Sequence, residues 1–272
     1  MYTYELQVIE KKKLSPTAAC IRLGLNGKEF KFIPGQYVQA EIKLEERNRF
    51  KVLNNKPKIQ KRSFSISSSP NEKKYIEFTC KTVPNGFVSV YIVNHLKVGD
   101  KIKIKGPMGN SIFNEKKTKN NLVFLAGGSG ISPMISMLRY INENKIDVNA
   151  TIIYSNKTED EILHRNEIEN LSKKNKNIKY IFTLTQQEWE GRTGRIDKEL
   201  ISSNAKKIKP QDLTRGKANT NLDGAQDPKH LLERVLTETD FYIVGPPPFV
   251  EEMEKILNKL KVKEDSIKKE MY

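Results

Sequence analysis

Leu122-Val123-Phe124-Leu125-Ala126-Gly127-Gly128-Ser129-Gly130-Ile131-Ser132-Pro133 is the stretch from which the fold can be read. Five consecutive apolar residues describe a strand buried on both faces, as in a parallel sheet. Three glycines around a serine then allow a tight turn. After it, apolar residues at 131, 134, 135, 138 and 141 recur with helical spacing over Ile131–Asn144. A strand running through a glycine turn into a helix places backbone N–H groups and the positive end of a helix dipole at the strand's carboxyl end, where an anion binds. A tight strand–helix turn with no ligand is the plainer alternative. The stretch is neither the G-x-G-x-x-G fingerprint nor a P-loop, because Ser stands at 129 and 132 and no Gly-Lys-Ser/Thr follows. It also departs from the G-x-S-x-G elbow of hydrolases, since the last position is Ile131.

Outward from this stretch, strand and helix alternate toward the C-terminus. Strands are predicted at Ala150–Tyr154, Ile178–Leu184 and Phe241–Val244, with helices at Glu161–Ser172 and Val250–Leu260. That alternation predicts a doubly wound parallel sheet. Residues 203–229 are polar and carry Pro210, Gly216, Gly224 and Pro228, the pattern of a long insertion loop. Toward the N-terminus the period changes to two. Tyr4–Ile9, Ala19–Leu23, Tyr37–Ile42, Ser63–Ser67, Tyr75–Lys81 and Lys101–Lys105 read as six short strands, and 45–61 as an exposed basic loop. The expected fold is therefore an antiparallel β-barrel over 1–115, followed by an α/β Rossmann-like parallel-sheet domain over 120–272, with the boundary near 114–120.

The 272 residues carry a net charge of +15. The first 115 hold 21 Lys and Arg against 10 Asp and Glu, so most of the excess lies on the barrel half. This is either a generally lysine-rich composition or a basic docking face for an acidic partner or nucleic acid. No aromatic–basic interleaving supports nucleic acid. Two cysteines cannot hold an iron–sulfur cluster by the usual four thiolates, and neither C-x-x-C nor H-x-x-x-H spacing exists, so no metal is expected. Leu122–Leu138 is uncharged, but at 17 residues with three glycines and a proline it is not a membrane span. With no leader-like start, the protein is expected to be cytoplasmic.

A second constellation is Arg62-Ser63-Phe64-Ser65-Ile66-Ser67-Ser68. On a strand it puts Arg62, Phe64 and Ile66 on one face and the odd-numbered serines on the other. An aromatic can cover a flat ring, an Arg can grip a phosphate, and a hydroxyl can meet a ring nitrogen. A serine-rich edge strand is the plain alternative.

Taken with three further segments, these motifs resemble the ferredoxin–NADP reductase superfamily of flavoenzymes. Arg62-x-Phe64-Ser65-x-x-Ser68 is similar to that family's R-x-Y-S-x-x-S flavin motif. Gly86-Phe87-Val88-Ser89 is similar to its G-x-x-S segment, and Gly106-Pro107-Met108-Gly109 to the G-P-x-G that ends the barrel. Gly127-Gly128-Ser129-Gly130-Ile131-Ser132-Pro133 is similar to G-G-T-G-I-A-P, and Gly245-Pro246-Pro247 to the late C-G-P-P turn. Order and spacing match from about residue 5 to 272.

The resemblance implies FAD and a nicotinamide dinucleotide, NADH or NADPH. It implies that Arg62 holds the flavin diphosphate, Phe64 lies on the isoalloxazine and Ser65 meets its N5 edge, with Ser63, Ser68, Lys81, Gly86, Val88 and Ser89 completing the flavin site. Gly127, Gly128, Ser129 and Gly130 would carry the coenzyme pyrophosphate, and Thr183, Gly245 and Pro246 would flank the nicotinamide arm. Phe64 stands where Tyr is commoner, and Val244 where many relatives have Cys. Gln186 stands where NADP-selective relatives often have Arg, which leans the coenzyme toward NADH, although Lys157, Arg192 or Arg195 could supply charge. Glu270-Met271-Tyr272 matches the terminal E-x-Y that lays a Tyr ring on the flavin. Ser65, Glu270 and Tyr272 are thus the expected catalytic residues. The expected activity is reduction of FAD by NAD(P)H and onward electron transfer to a separate acidic one-electron carrier such as ferredoxin or flavodoxin, with an electron-transfer subunit of a larger redox complex as the alternative.

Overall fold

The structure, a computed structural model, describes residues 1–43, 59–205 and 228–272, the side chains of 228–230 excepted. The basic segment expected as a loop at 45–61 lies outside the described residues up to 58, as does 206–227 of the expected insertion loop. The chain divides into two compact units. One is Met1–Phe113 with Ser132–Tyr140, and the other is Asn114–Ile131 with Ile141–Tyr272.

The first unit is a six-stranded antiparallel sheet of β1 (Tyr2–Ser15), β2 (Ala18–Gly24), β3 (Tyr37–Lys43), β4 (Ile59–Ser65), β5 (Tyr75–Lys81) and β6 (Lys101–Met108). The order is β4-β3-β6-β1-β2-β5. An antiparallel bridge between Ile66 and Phe78 links the two edges, which removes exposed edges as a barrel does. Alternation places Leu6, Val8, Ile21, Leu23, Val38, Ala40, Ile102 and Ile104 inside. Helix α1 (Phe87–Asn94) supplies Val88 and Ile92 to the same core. The flavin-motif strand differs from expectation. It runs over Ile59–Ser65 rather than Ser63–Ser67, because from Ser67 the backbone turns to meet the Glu77 carbonyl.

The second unit is a parallel sheet of β7 (Asn121–Gly127), β8 (Asn149–Asn156), β9 (Ile178–Leu184), β10 (Arg192–Thr193), β11 (Thr239–Gly245) and β12 (Ile267–Met271), in the order β10-β9-β8-β7-β11-β12. Every residue of β7 and β11 is buried, which explains their unbroken apolar runs. The chain winds outward from β7 through β8 and β9, then crosses to β11 on β7's other side. That makes the carboxyl end of β7 the topological switch point, where open α/β sheets bind ligands.

Helix α2 (Ile131–Glu143) follows the turn, and its five predicted apolar positions are fully buried. Helix α3 (Arg165–Lys174) starts four residues later than the expected Glu161. His164 sits in the left-handed region, at φ 58°, and the Leu163 N–H is taken by the Tyr154 hydroxyl, so no helix can pass through them. Helices α4 (Lys198–Ala205), α5 (Pro228–Thr237) and α6 (Pro247–Lys259) complete the unit. Residues Ile267–Met271 form β12 and pair with all but the first two residues of β11.

Candidate functional site

In the first unit, Arg62 stands exposed on β4, its guanidinium donating to the Lys61 carbonyl at 2.7 Å. Phe64 is half-buried and stacks on the fully buried Phe78, with ring centroids 4.6 Å apart. One face of its ring therefore belongs to the core. Ser65 is half-buried opposite Tyr37, and Ser63 is exposed opposite Gln39. Ser68 is buried, and its hydroxyl accepts the Glu77 N–H at 3.1 Å while its carbonyl accepts from Ser136 at 2.7 Å. Its visible bonds are thus to β5 and to helix α2 (Ile131–Glu143). Lys81 closes β5, half-buried.

Gly86 is the N-cap of α1, and no side chain caps that end. The first-turn N–H groups of a helix lack intrahelical partners, so such an end suits a phosphate. A Cβ at Gly86 would come 2.4 Å from Val83 Cγ2 and 2.6 Å from Ser89 Oγ, so any side chain here would force both to shift. Ser89 Oγ itself accepts the Val83 N–H at 3.2 Å, fixing the loop before the helix. Val88 points into the core. A glycine-led helix end, a flat ring and an exposed Arg within one unit fit a flavin with a diphosphate, that is FAD. Phe64, Ser65 and Arg62 would hold its ring and phosphates.

Behind these groups lies a network with no sequence-based forecast. Glu77 is 1% exposed, and its carboxylate receives Arg139 at 2.6 Å, Arg22 at 2.8 Å and the Ser67 hydroxyl at 2.9 Å. Arg139 also donates to the Ser67 carbonyl at 2.9 Å. A glutamate amid the apolar run of β5 was the available signal, since a buried carboxylate requires partners.

In the second unit, the carboxyl ends of β8, β9 and β11 border a groove of about 530 Å³, lined among others by Ser155, Lys157, Thr185, Arg195, Pro246 and Phe249. The Gly127–Gly130 turn has no side-chain cap. Gly130 packs against β11 so closely that a Cβ would lie 2.1 Å from the Val244 carbonyl oxygen. The Phe249 ring occupies the space beside Gly127 and Gly245, where added Cβ atoms would stand 3.0 and 2.6 Å from it. Both Asn156 amide atoms are buried without a hydrogen-bond partner, and Asn156 is flanked in sequence by the groove residues Ser155 and Lys157. The amide lies on the buried side of β8 near the Tyr154 hydroxyl, whose acidity it affects, and does not itself line the groove. The glycine turn at the switch point and the groove at the strand carboxyl ends together fit a dinucleotide.

Thr183 does not line this groove. Its hydroxyl, fully buried, donates to the Gly194 carbonyl at 2.6 Å, and Thr185 two residues on takes the lining position. Arg195 reaches Glu252 on α6 at 3.2 Å, and Arg192 reaches Asp197 at 2.7 Å. Glu270 pairs in register with Val244. The Tyr272 ring is half-exposed, but its hydroxyl donates to the Gly127 carbonyl at 2.5 Å. Burial of that hydroxyl raises its pKa, while hydrogen bonding from Ser129 and the Gly130 backbone pulls the other way. The tail tyrosine thus rests on the glycine turn. Among the described residues, no cluster of His, Cys, Asp or Glu could hold a metal ion, and no helix is long and apolar enough to cross a membrane.

Two family models match, an oxidoreductase FAD-binding domain over residues 5–113 and an oxidoreductase NAD-binding domain over 124–255. The chain is 24% identical over 263 residues to the anthranilate 1,2-dioxygenase electron transfer component of Acinetobacter baylyi, covering 95% of this chain and 64% of that protein. It is 28% identical over 263 residues to NADH-cytochrome b5 reductase 1 of Laccaria bicolor, covering 94% and 73%. The chain spans between about half and two thirds of the length of several curated relatives, that Acinetobacter baylyi component among them. Its fold matches a ferredoxin NADP+ reductase from Neisseria gonorrhoeae, solved with bound FAD and NADP, at a TM-score of 0.72 and 17% identity over 100% of this chain and 99% of that one. With a flavin-type barrel and a coenzyme-type parallel sheet matched in succession along almost the whole sequence, the chain belongs to the ferredoxin–NADP reductase-like superfamily of flavoprotein oxidoreductases.

Proposed function

We propose that the protein is an NADH-dependent, FAD-containing reductase that passes electrons to a separate one-electron acceptor protein. Bound FAD would supply the chemistry, accepting a hydride and releasing electrons singly. The chain's own residues bind and orient. Arg62 and the α1 N-terminus hold phosphates, Phe64 and Ser65 meet the ring, and the Gly127–Gly130 turn receives the coenzyme pyrophosphate. Tyr272 would lie near the reacting rings and move aside for nicotinamide, with Glu270 as a positioning carboxylate. The observation that supports the reading is the glycine turn at the switch point of the parallel sheet, met now by the tail Tyr272 hydroxyl, in a chain that also carries the flavin motif.

NADH is favoured over NADPH by the groove. Gln186 is neutral, and the Glu252 carboxylate already engages Arg195 and would repel a 2′-phosphate. The acceptor is read as an acidic carrier. Lys101, Lys103 and Lys105 alternate outward along β6 in a barrel half that is strongly basic. A subunit role in a larger redox assembly is the second reading, favoured by the likeness to an oxygenase electron transfer component.

The purified protein should be yellow, and NADH should bleach its flavin absorption without oxygen. Addition of ferredoxin or flavodoxin should then restore the colour. A colourless protein that takes up no FAD would overturn the reading. A flavoprotein that reduces no free acceptor but copurifies with an oxygenase would favour the second.

A further inference from the structure

We propose that Tyr154 is a positioning residue for the coenzyme pyrophosphate, acting through the Gly127–Gly130 turn. Tyr154 is fully buried on β8, and its hydroxyl donates to the Gly128 carbonyl at 2.7 Å. The same hydroxyl accepts the Leu163 N–H at 3.3 Å, so it is held from the far side by the chain entering α3. Burial raises the phenol's pKa, and it stays a neutral donor.

The consequence follows from peptide geometry. A trans peptide is rigid and planar, with its carbonyl and the next N–H pointing in opposite directions. Drawing the Gly128 carbonyl inward toward Tyr154 therefore turns the Ser129 N–H outward, where the Tyr272 hydroxyl now meets it and where the coenzyme anion would take its place. Gly128 is free to adopt the required twist, at φ 56°. Tyr272 does the equivalent from the solvent side, through the Gly127 carbonyl. The two differ in permanence, since Tyr154 has no exposed surface and Tyr272 is half-exposed. Tyr154 is the fixed support, and the ring keeps its place if only the hydroxyl is removed.

The proposal rests on the coenzyme reading of the turn, and the test separates the two. Tyr154→Phe in the full FAD-loaded chain should weaken ADP-ribose, which carries the pyrophosphate, about five- to tenfold, the effect of one hydrogen bond. Adenosine, which lacks it, should bind as in wild type. KM for NADH should rise by the same factor as the ADP-ribose Kd, with kcat and flavin content within about twofold. Without coenzyme, amide hydrogen exchange at 128–130 should quicken while the rest of the sheet is unchanged. Unaltered ADP-ribose affinity, unaltered exchange, or an equal loss of adenosine binding would each overturn the role. A wild-type protein that binds neither ADP-ribose nor NADH would remove the coenzyme reading and the proposal with it. If Tyr154→Phe does not fold, 3-fluorotyrosine at 154 keeps the ring and hydroxyl while making that hydroxyl a stronger donor to Gly128 and a weaker acceptor from Leu163. An unchanged ADP-ribose Kd there would equally overturn it.

Discussion

At the scale of single residues, Gly130 is the most constrained position of the coenzyme turn. A methyl group there would stand 2.1 Å from the Val244 carbonyl oxygen and 2.5 Å from its carbon. Backbone cannot rotate away as a side chain would. Gly130→Ala should cost about 1–3 kcal/mol by overpacking and weaken NADH binding, readable as a lower Tm and a higher Kd. Wild-type values of both would mean that the turn has slack. Arg62 is the opposite case, an exposed side chain with little to lose in folding. Arg62→Ala should leave Tm of the FAD-free protein unchanged and weaken FAD by about 1.5–3 kcal/mol, the worth of a charge-assisted hydrogen bond. FAD retention equal to wild type on dialysis would refute the role. In the groove, Glu252→Gln removes the carboxylate that faces Arg195. The ratio of kcat/KM for NADPH over NADH should rise about two- to fivefold, as expected for a solvent-screened charge. An unchanged ratio would detach Glu252 from coenzyme choice.

At the scale of elements, β5 is held by its one acidic side chain. Arg22, Arg139 and Ser67 converge on the Glu77 carboxylate, which is 1% exposed. Breaking a buried pair leaves charges unmatched at a cost of about 3–5 kcal/mol. Glu77→Gln should therefore lower Tm by roughly 6–20 °C in a domain of this size. Glu29→Gln, which breaks an exposed pair with Lys31, should not move Tm measurably. β2 and β5 also carry the two cysteines, both buried. Burial pushes the Cys80 thiol up to about 12 and the Cys20 thiol higher still. A raised pKa keeps the neutral, unreactive form as pH climbs through the ordinary thiol range near 8.5. Native protein should thus show no gain in reaction with a disulfide reagent between about pH 7 and 9, while unfolded protein reacts at both sites. A reactive native thiol would show that β2 and β5 open.

At the scale of the whole molecule, the proposed acidic carrier makes charge the property to test. The net charge is +15, concentrated before residue 116. Attraction of an acidic carrier to such a surface is long-ranged in dilute salt and shrinks as the screening length falls from about 10 Å at 0.1 M to about 3 Å at 1 M. The second-order rate of electron transfer to an acidic ferredoxin or flavodoxin should fall steadily as salt is raised in a stopped-flow series. A rate that is flat or rising would remove the basic face from the docking reaction.

The fold class was legible in the sequence because its two halves have different periods. Alternation marks the strands of the barrel, and unbroken apolar runs mark β7 and β11, whose faces are both covered. The glycine turn was legible for a similar reason, since only glycine tolerates a neighbouring backbone at the distance found beside Gly130. The supports of the site were not legible. Thr183 and Thr185 are alike in type, and only the carboxyl end of β9 decides which one meets the groove. Glu77 and Arg139 are 62 positions apart, and Tyr154 is 26 positions from Gly128. Sequence determines which groups a strand or turn can offer, because backbone period and side-chain volume are local. Tertiary structure alone decided which buried hydroxyl turns the Ser129 N–H outward, because that partner comes from a different strand, brought alongside by the sheet.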